Sequence, residues 1–288
     1  MEPRDRTYAA PDGSDLPMRV WRPDRPRAAL VYLHGIQSHS GWYAASSRRL
    51  AEAGVAVYQV ERRGSGVDRQ HERGHVDRAE TWLKDVAAAA EVARAETAVP
   101  SVHLLGVSWG GKLALACAAY RPDLYRSLLL AAPGIFPVVD LVFMMKVRIV
   151  QSLLAGRPLR RLPIPIGDPH LFTENPERVR YIAEDPLSLR DLTARSLFES
   201  RRLDRLARRA GRTVRLPVFL ALAARDRIID NAATAALVER MPTGRRRVVT
   251  YPAAHHTLEF EPDPEAYLGD LVAWVDAVEA GRPEGESA

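Results

Sequence analysis

Short runs of apolar and β-branched residues alternate along the chain with longer segments whose apolar positions recur every three to four residues. The short runs, each bounded by turn-forming residues, predict buried strands at residues 18–21, 29–33, 55–60, 102–105, 128–131, 218–223 and 248–251. The longer segments predict helices at residues 43–53, 81–97, 110–120, 232–240 and 264–279. Strands and helices that alternate in this way form right-handed crossovers. We therefore predict an α/β fold with a mostly parallel central sheet that helices cover on both faces.

One connection between predicted strands is much longer than the others. About 80 residues separate residues 133 and 216, whereas such a connection usually needs one helix and a few loop residues. We interpret residues 135–213 as a mainly helical cap inserted over the carboxyl edge of the sheet, with helices at 138–155, 176–184 and 189–210. The core then comprises residues 1–134 and 214–280, and residues 281–288 form a flexible tail.

The composition is that of an ordinary globular enzyme. The chain has 288 residues, of which 47% are hydrophobic and 27% charged, and its single cysteine excludes an intrachain disulfide. The net charge is +5, and only three of the 41 basic residues are lysines. The arginine runs lack interleaved aromatic residues. We interpret these runs as solvated surface, with an anionic partner as the alternative, and predict no nucleic-acid partner. The first residues contain no long apolar run, so we expect a cytoplasmic protein without a stable membrane span.

The segment Gly106-Val107-Ser108-Trp109-Gly110 lies between a predicted strand and a predicted helix. A G-x-S-x-G sequence at such a junction is typical of a nucleophile elbow, a strained turn that presents the serine above a sheet at a helix N-terminus. Ser108 is therefore the candidate nucleophile. We interpret Ser65 as part of a turn and Cys117 as a core residue within a helix.

A serine hydroxyl needs a general base, and that base needs a group that orients it. Asp226 follows the strand predicted at residues 218–223 and is the preferred acid, whereas we interpret Asp230 as a helix cap. His255 and His256 follow the last predicted strand, so either histidine would complete the chain order Ser, Asp, His.

Backbone N–H groups usually stabilise the oxyanion of the tetrahedral intermediate. Trp109 supplies one of them because it follows the nucleophile, and Ile36 is the second candidate because Gly35 lets the backbone approach closely. His34 and His39 lie in the same loop without cysteine or clustered acidic partners at ligand spacing. We interpret them as loop-shaping residues and predict neither a metal site nor a cofactor.

An apolar stripe in the insertion suggests where a substrate chain would lie. Within residues 138–155, apolar side chains recur at spacings of three and four, at Val138, Leu141, Val142, Met145, Ile149 and Leu153. The stripe would pack on other helices and on the core. As a second possibility, Phe143, Met144 and Met145 would also line an acyl channel above Ser108, since methionine adapts to chains of varied length.

Over about 260 residues the chain resembles the α/β-hydrolase superfamily, and within it the monoacylglycerol lipase, lysophospholipase and serine aminopeptidase-like branch. The segments HGIQSHSGWY, ERRGSG and GVSWGG carry the resemblance. It implies a triad of Ser108, Asp226 and His256, with oxyanion donors at Ile36 and Trp109. It favours His256 as the base because the family places its histidine two residues before a leucine; His255 would then face solvent or help to shape the site.

The resemblance also implies the reaction. It points to a small-molecule ester with a single acyl chain, such as a monoacylglycerol or lysophospholipid, that is cleaved through an acyl-enzyme. An aminopeptidase or amidase and a carbon–carbon bond hydrolase share the triad and are the alternatives. Trp109 stands where proline iminopeptidases also have tryptophan, but HGIQSHSG lacks their His-Gly-Gly-Pro-Gly opening. A binding protein of the same fold without turnover is the alternative of another class; such proteins usually lose a triad member.

Overall fold

A central eight-stranded sheet dominates the computed structural model, which describes residues 1–281. In chain order the strands are β1 Arg4–Ala9, β2 Asp15–Trp21, β3 Ala28–Leu33, β4 Val55–Val60, β5 Val102–Val107, β6 Tyr125–Ala131, β7 Arg161–Pro163, β8 Asp191–Thr193, β9 Val218–Ala223 and β10 Arg246–Tyr251. The order across the sheet is β1-β2-β4-β3-β5-β6-β9-β10, and β7 pairs only with β8. The pairs β1–β2 and β2–β4 are antiparallel, and the pairs from β4 to β10 are parallel.

Helices connect the parallel strands and cover the sheet. Within the described residues they are α1 Ala44–Glu52, α2 Ala79–Thr97, α3 Trp109–Tyr120, α4 Phe143–Leu154, α5 Pro176–Glu184, α6 Ala194–Ala210, α7 Asn231–Glu239 and α8 Glu265–Glu279. The chain steps from β3 outward to β4 and then back past β3 to β5. Because crossovers are right-handed, this reversal places α1 on one face of the sheet and α2 on the other. The predicted α/β architecture, with a mostly parallel sheet covered on both faces, is confirmed.

The strands at the centre of the sheet are buried on both faces. Every residue of β3, β4, β5 and β9 is buried, which is why these strands are almost entirely apolar in the sequence, with Gln59 and His103 as the exceptions. Strand β1 was not predicted, because it lies at the sheet edge and Tyr8 is its only buried residue. The carboxyl ends of β5 and β9 meet at one edge of the sheet, and the loops that follow them carry Ser108 and Asp226.

The long segment between β6 and β9 contains α4, α5, α6 and the β7–β8 ladder. The helix predicted at residues 176–184 is confirmed as α5. The helix predicted at 138–155 begins only at Phe143, because Pro137 forms a β-bridge with Ile229 and Val138 donates to the Ile228 carbonyl. The helix predicted at 189–210 begins at Ala194, after strand β8.

Two further expectations concern the ends and the helices of the chain. The flexible tail predicted at residues 281–288 lies outside the described residues, except for residue 281. Across residues 1–281, no helix is both long enough and apolar enough to cross a bilayer.

Candidate active site

Ser108 occupies a sharp turn between β5 and α3. Its backbone has φ 52° and ψ −121°, a left-handed conformation that an L-residue adopts only where its surroundings impose it. The flanking glycines allow this turn to form: a Cβ on Gly106 would lie 2.3 Å from the Gly110 carbonyl oxygen. The turn is held by hydrogen bonds from Gly111 and Gly134 to the Ser108 carbonyl, at 2.9 and 2.7 Å.

Two short hydrogen bonds link Ser108 to a histidine and an aspartate. His256 Nε2 lies 2.8 Å from Ser108 Oγ, and His256 Nδ1 lies 2.7 Å from Asp226 Oδ2. The imidazole and the carboxylate are buried, with exposed fractions of 1% and 0%. Since the carboxylate only accepts, we assign the imidazole proton to Nδ1, which leaves Nε2 able to accept the Ser108 hydroxyl proton.

The backbone of the loop after β9 fixes the Asp226 carboxylate. Its Oδ1 accepts hydrogen bonds from the N–H groups of Ile228 and Ile229, at 2.7 and 3.2 Å. With Oδ2 on His256, both oxygens are engaged, so the carboxylate cannot rotate freely. Asp230 lies at the start of α7, where its side chain accepts from Ala233 N–H as an N-cap.

The neighbouring histidine, His255, makes its hydrogen bonds to a glutamate and not to Ser108 or Asp226. His255 Nδ1 and its backbone N–H both bond to Glu261 Oε1, at 3.1 and 2.9 Å.

Phe172, from the segment between β6 and β9, packs edge-on against the His256 ring at a centroid distance of 5.8 Å. Phe172 therefore helps to shield the His256 imidazole from solvent.

Ile36 and Trp109 both contribute to the wall of the cavity beside Ser108. Within residues 1–281, neither backbone N–H donates a hydrogen bond. Gly35 brings the loop close: a Cβ on it would lie 3.5 Å from the Ser108 Cβ. Two residues whose backbone N–H groups are unengaged therefore line the same cavity as Ser108.

Arg62 holds the loop that carries Ile36, a role that our sequence analysis missed. Its guanidinium donates to the carbonyl oxygens of Gly35 and Ile36, at 3.1 and 2.7 Å, and lies 4.5 Å above the Trp109 ring. Burial lowers the pKa of Arg62 to about 10. The residue belongs to the ERRGSG segment, so its place in that motif was the available signal.

The two histidines of this loop make hydrogen bonds that shape it. His34 Nε2 accepts from the Arg62 backbone N–H at 3.1 Å, and His39 Nε2 lies 3.0 Å from Asp185 Oδ2. Burial would raise the pKa of Asp185, but hydrogen bonds from His39 and Trp42 outweigh it and hold that pKa well below its usual value. Asp185 thereby ties the β6–β9 segment to the loop after β3.

A cavity of about 650 Å³, including its open mouth, adjoins Ser108. Its walls are mostly apolar and include Ile36, Leu141, Ile164, Ile166, Leu197 and Ile228. One region of the wall is polar and is formed by Lys112, Asp140, Ser200, Arg201 and Asp204. The cavity can thus accept an apolar group attached at Ser108, and part of the wall around that group is polar.

The cap residues that we expected around an acyl channel lie outside this cavity. Phe143 and Met144 are 76% and 61% exposed, and Met145 is half-buried without lining the cavity. The prediction failed because α4 begins later than expected, so the extended segment before it, with Leu141, forms the wall instead. For the same reason the predicted stripe is broken at its start, where Val138 is exposed.

Comparisons with known proteins show which family and fold the chain resembles. A family model described as "Serine aminopeptidase, S33" matches residues 24–263. The monoacylglycerol lipase of Mycolicibacterium smegmatis is 26% identical over 282 residues, which cover 94% of this chain and 96% of that relative. Human monoglyceride lipase is 27% identical over 253 residues, covering 87% and 82%. The crystal structure of Paleococcus ferrophilus monoacylglycerol lipase matches with a TM-score of 0.78 at 23% identity, over 96% of this chain and 100% of that one.

Proposed function

Because the chain belongs to the serine aminopeptidase S33 family of α/β-hydrolases, we propose that it cleaves carboxylic esters with Ser108 as nucleophile, His256 as base and Asp226 as the orienting acid. The expected resemblance to the monoacylglycerol lipase branch is confirmed. The observation that carries the proposal is the hydrogen-bonded chain Ser108–His256–Asp226, whose serine lines a mostly apolar cavity.

The proposed reaction proceeds through an acyl-enzyme. His256 Nε2 takes the hydroxyl proton while Ser108 Oγ attacks the ester carbonyl carbon, and the N–H groups of Ile36 and Trp109 stabilise the oxyanion. The imidazolium then gives its proton to the departing alcohol as the carbon–oxygen bond breaks. A water molecule, deprotonated by His256, attacks the acyl-enzyme and releases the acid. Asp226 stabilises the imidazolium in both halves of the reaction.

The cavity favours a single acyl chain as the group held beside Ser108. Its apolar wall would shield methylene groups from water, each contributing about 0.8 kcal/mol. The relatives named as monoacylglycerol lipases support an ester of this class, such as a monoacylglycerol or a lysophospholipid. An aminopeptidase would need a free carboxylate for the substrate ammonium group, whereas the cavity carboxylates Asp140 and Asp204 are already paired with Lys146, Arg201 and Lys112.

Residues 135–213 form the cap in this proposal, over a core of residues 1–134 and 214–280. The cap would act on the site in two ways. Phe172 packs against the catalytic imidazole, and Asp185 anchors the loop that supplies Ile36. The cap would thus complete the site as well as cover it.

The proposal is tested by Ser108→Ala. Hydrolysis of p-nitrophenyl butyrate and monooctanoylglycerol should fall about 10⁴-fold, because binding and oxyanion stabilisation alone remain, and labelling by a fluorophosphonate should disappear. Ser65→Ala is the matched control, and it should keep both activity and labelling. Substantial hydrolysis by Ser108→Ala, or a preference of the wild type for amino-acid amides over every acyl ester, would contradict the proposal.

A further inference from the structure

Lys112 is an unusual residue in this chain. Of 41 basic residues only three are lysines, and Lys84 and Lys146 are exposed. Lys112 is buried and lies in the cavity wall. It lies four residues after Ser108, which is the N-cap of α3, and so about one helical turn, or about 6 Å, along the axis of α3. Lys112 and the proposed nucleophile therefore line the same cavity from one helix.

The hydrogen bonds around Lys112 leave two donors without acceptors. Lys112 Nζ donates to Ser200 Oγ at 3.0 Å and to Asp204 Oδ1 at 2.5 Å, which uses two of its three hydrogens. Ser200 Oγ also accepts from Trp109 Nε1 at 2.9 Å. Across residues 1–281, the third Lys112 hydrogen and the Ser200 hydroxyl hydrogen have no recorded acceptor. Both residues line the cavity, so a ligand oxygen that reaches this part of the wall would meet these donors.

The charges nearby indicate which kind of oxygen fits. Arg201 bonds to both Asp204 and Asp140, and Lys112 bonds to Asp204. The four charged groups of the cavity wall therefore balance as two cations and two anions. A ligand carboxylate would add an uncompensated charge to a largely apolar cavity, which is costly. A neutral carbonyl oxygen would satisfy the donors without that cost.

The position of the cavity indicates which part of the ester enters it. Ser108, Ile36 and Trp109 line it, whereas His256 does not. The alcohol leaves from the side of His256, because His256 protonates it. The cavity therefore holds the acyl part of the substrate.

We propose that the acyl chain of the substrate carries a second, neutral carbonyl oxygen that Lys112 and Ser200 bind, so that this protein is selective for oxo-acyl esters. The inference rests on the proposed ester hydrolysis and deepens it. A plain alkanoyl chain would fill the apolar part of the cavity but leave both donors without an acceptor. A substrate without the matching oxygen leaves these buried donors unpaired, and the free-energy cost of that lets the site discriminate strongly against it.

The test compares two series of p-nitrophenyl esters. One series carries an oxo group at carbon 4, 5, 6 or 7 of the acyl chain, and the other carries a methyl branch at the same carbon, which has nearly the same shape. We expect kcat/KM to favour the oxo ester at least tenfold at one position. A preference for the methyl-branched ester at every position would overturn the inference while leaving the proposed function intact. If neither series is hydrolysed and Ser108 is not labelled by a fluorophosphonate, the proposed function fails, and the inference fails with it.

Variants separate recognition from a purely structural role of the lysine. In Lys112→Met/Asp204→Leu, which removes both charges of the pair, the oxo preference should disappear, whereas Lys84→Met should retain it. Wild-type protein labelled with ¹³C and ¹⁵N in its three lysines provides a readout without turnover. Titration with the preferred oxo acid should shift the Lys112 signal and leave Lys84 and Lys146 unchanged; an equal shift with the methyl-branched acid would contradict the proposal.

Discussion

Replacing Gly110 by alanine tests how closely the elbow must approach the loop after β3. A Cβ on Gly110 would lie 2.3 Å from the Leu33 carbonyl oxygen and 2.6 Å from that of His34. Both contacts are with backbone, so no side chain can rotate away. Since Gly110 does not have a positive φ, the substitution adds this contact and no conformational strain. To reach even 3.0 Å, the elbow and the loop must separate by at least 0.7 Å.

That separation would move the two proposed oxyanion donors apart. Trp109 directly precedes Gly110, and Ile36 belongs to the loop that begins at His34, directly after Leu33 at the end of β3. A displacement approaching 1 Å costs about 10²-fold in rate, and the loss of one oxyanion donor costs about 10²- to 10³-fold. We therefore expect kcat for p-nitrophenyl butyrate to fall by about 10²- to 10³-fold in Gly110→Ala, with a smaller change in KM.

The measurements are kcat and KM, the rate of fluorophosphonate labelling, and the thermal midpoint from circular dichroism. Gly269→Ala is the matched control, because this glycine lies within α8 and a Cβ there meets no atom within 4 Å. It should leave the kinetics unchanged and stabilise the protein by about 0.5–1 kcal/mol, since alanine favours the helix. A Gly110→Ala variant with wild-type kcat and thermal midpoint would refute the argument from close approach.

Further predictions concern the proposed base, a buried carboxyl group and the cavity wall. His256→Ala should lower kcat/KM about 10⁴-fold, whereas His255→Ala, whose ring bonds to a glutamate, should cost far less; equal losses would contradict the assignment of the base. Burial raises the pKa of Glu259 to about 7, above its usual 4.5, so its ionisation above pH 4.5 favours the unfolded chain. Between pH 5 and pH 8 the wild type should therefore lose about 2 kcal/mol of unfolding free energy relative to Glu259→Gln, measured by urea denaturation; parallel pH profiles would refute this. Leu141→Asp should penalise octanoate esters much more than acetate esters, because Leu141 lines the cavity, whereas the exposed Met144→Asp should affect both little. If Met144→Asp instead lowered the hydrolysis of octanoate esters selectively, the acyl channel first expected at Phe143, Met144 and Met145 would be supported.

The sheet and the candidate catalytic residues could be predicted because their signals are local. A strand buried on both faces, such as β9, is a continuous apolar run, and Ser108 is marked by glycines two residues to either side. Asp226 follows directly after such a run, so its place at the sheet edge needs no knowledge of distant contacts. Strand β1 shows the limit of this reasoning: only Tyr8 is buried, and its partner β2, rather than its own pattern, makes it a strand.

Distant contacts determine the parts of the insertion that the sequence patterns missed. The start of α4 is set by the bridge between Pro137 and Ile229, and no periodicity within residues 138–155 encodes a partner about 90 residues away. The same holds for Lys112, which in sequence merely interrupts an apolar helix, because its partners Ser200 and Asp204 lie 88 and 92 residues further along. Since α6 carries both partners to α3, a change in the insertion can alter the polar part of the cavity wall without replacing a triad residue. Substrate selectivity and catalytic chemistry can therefore vary independently in this fold.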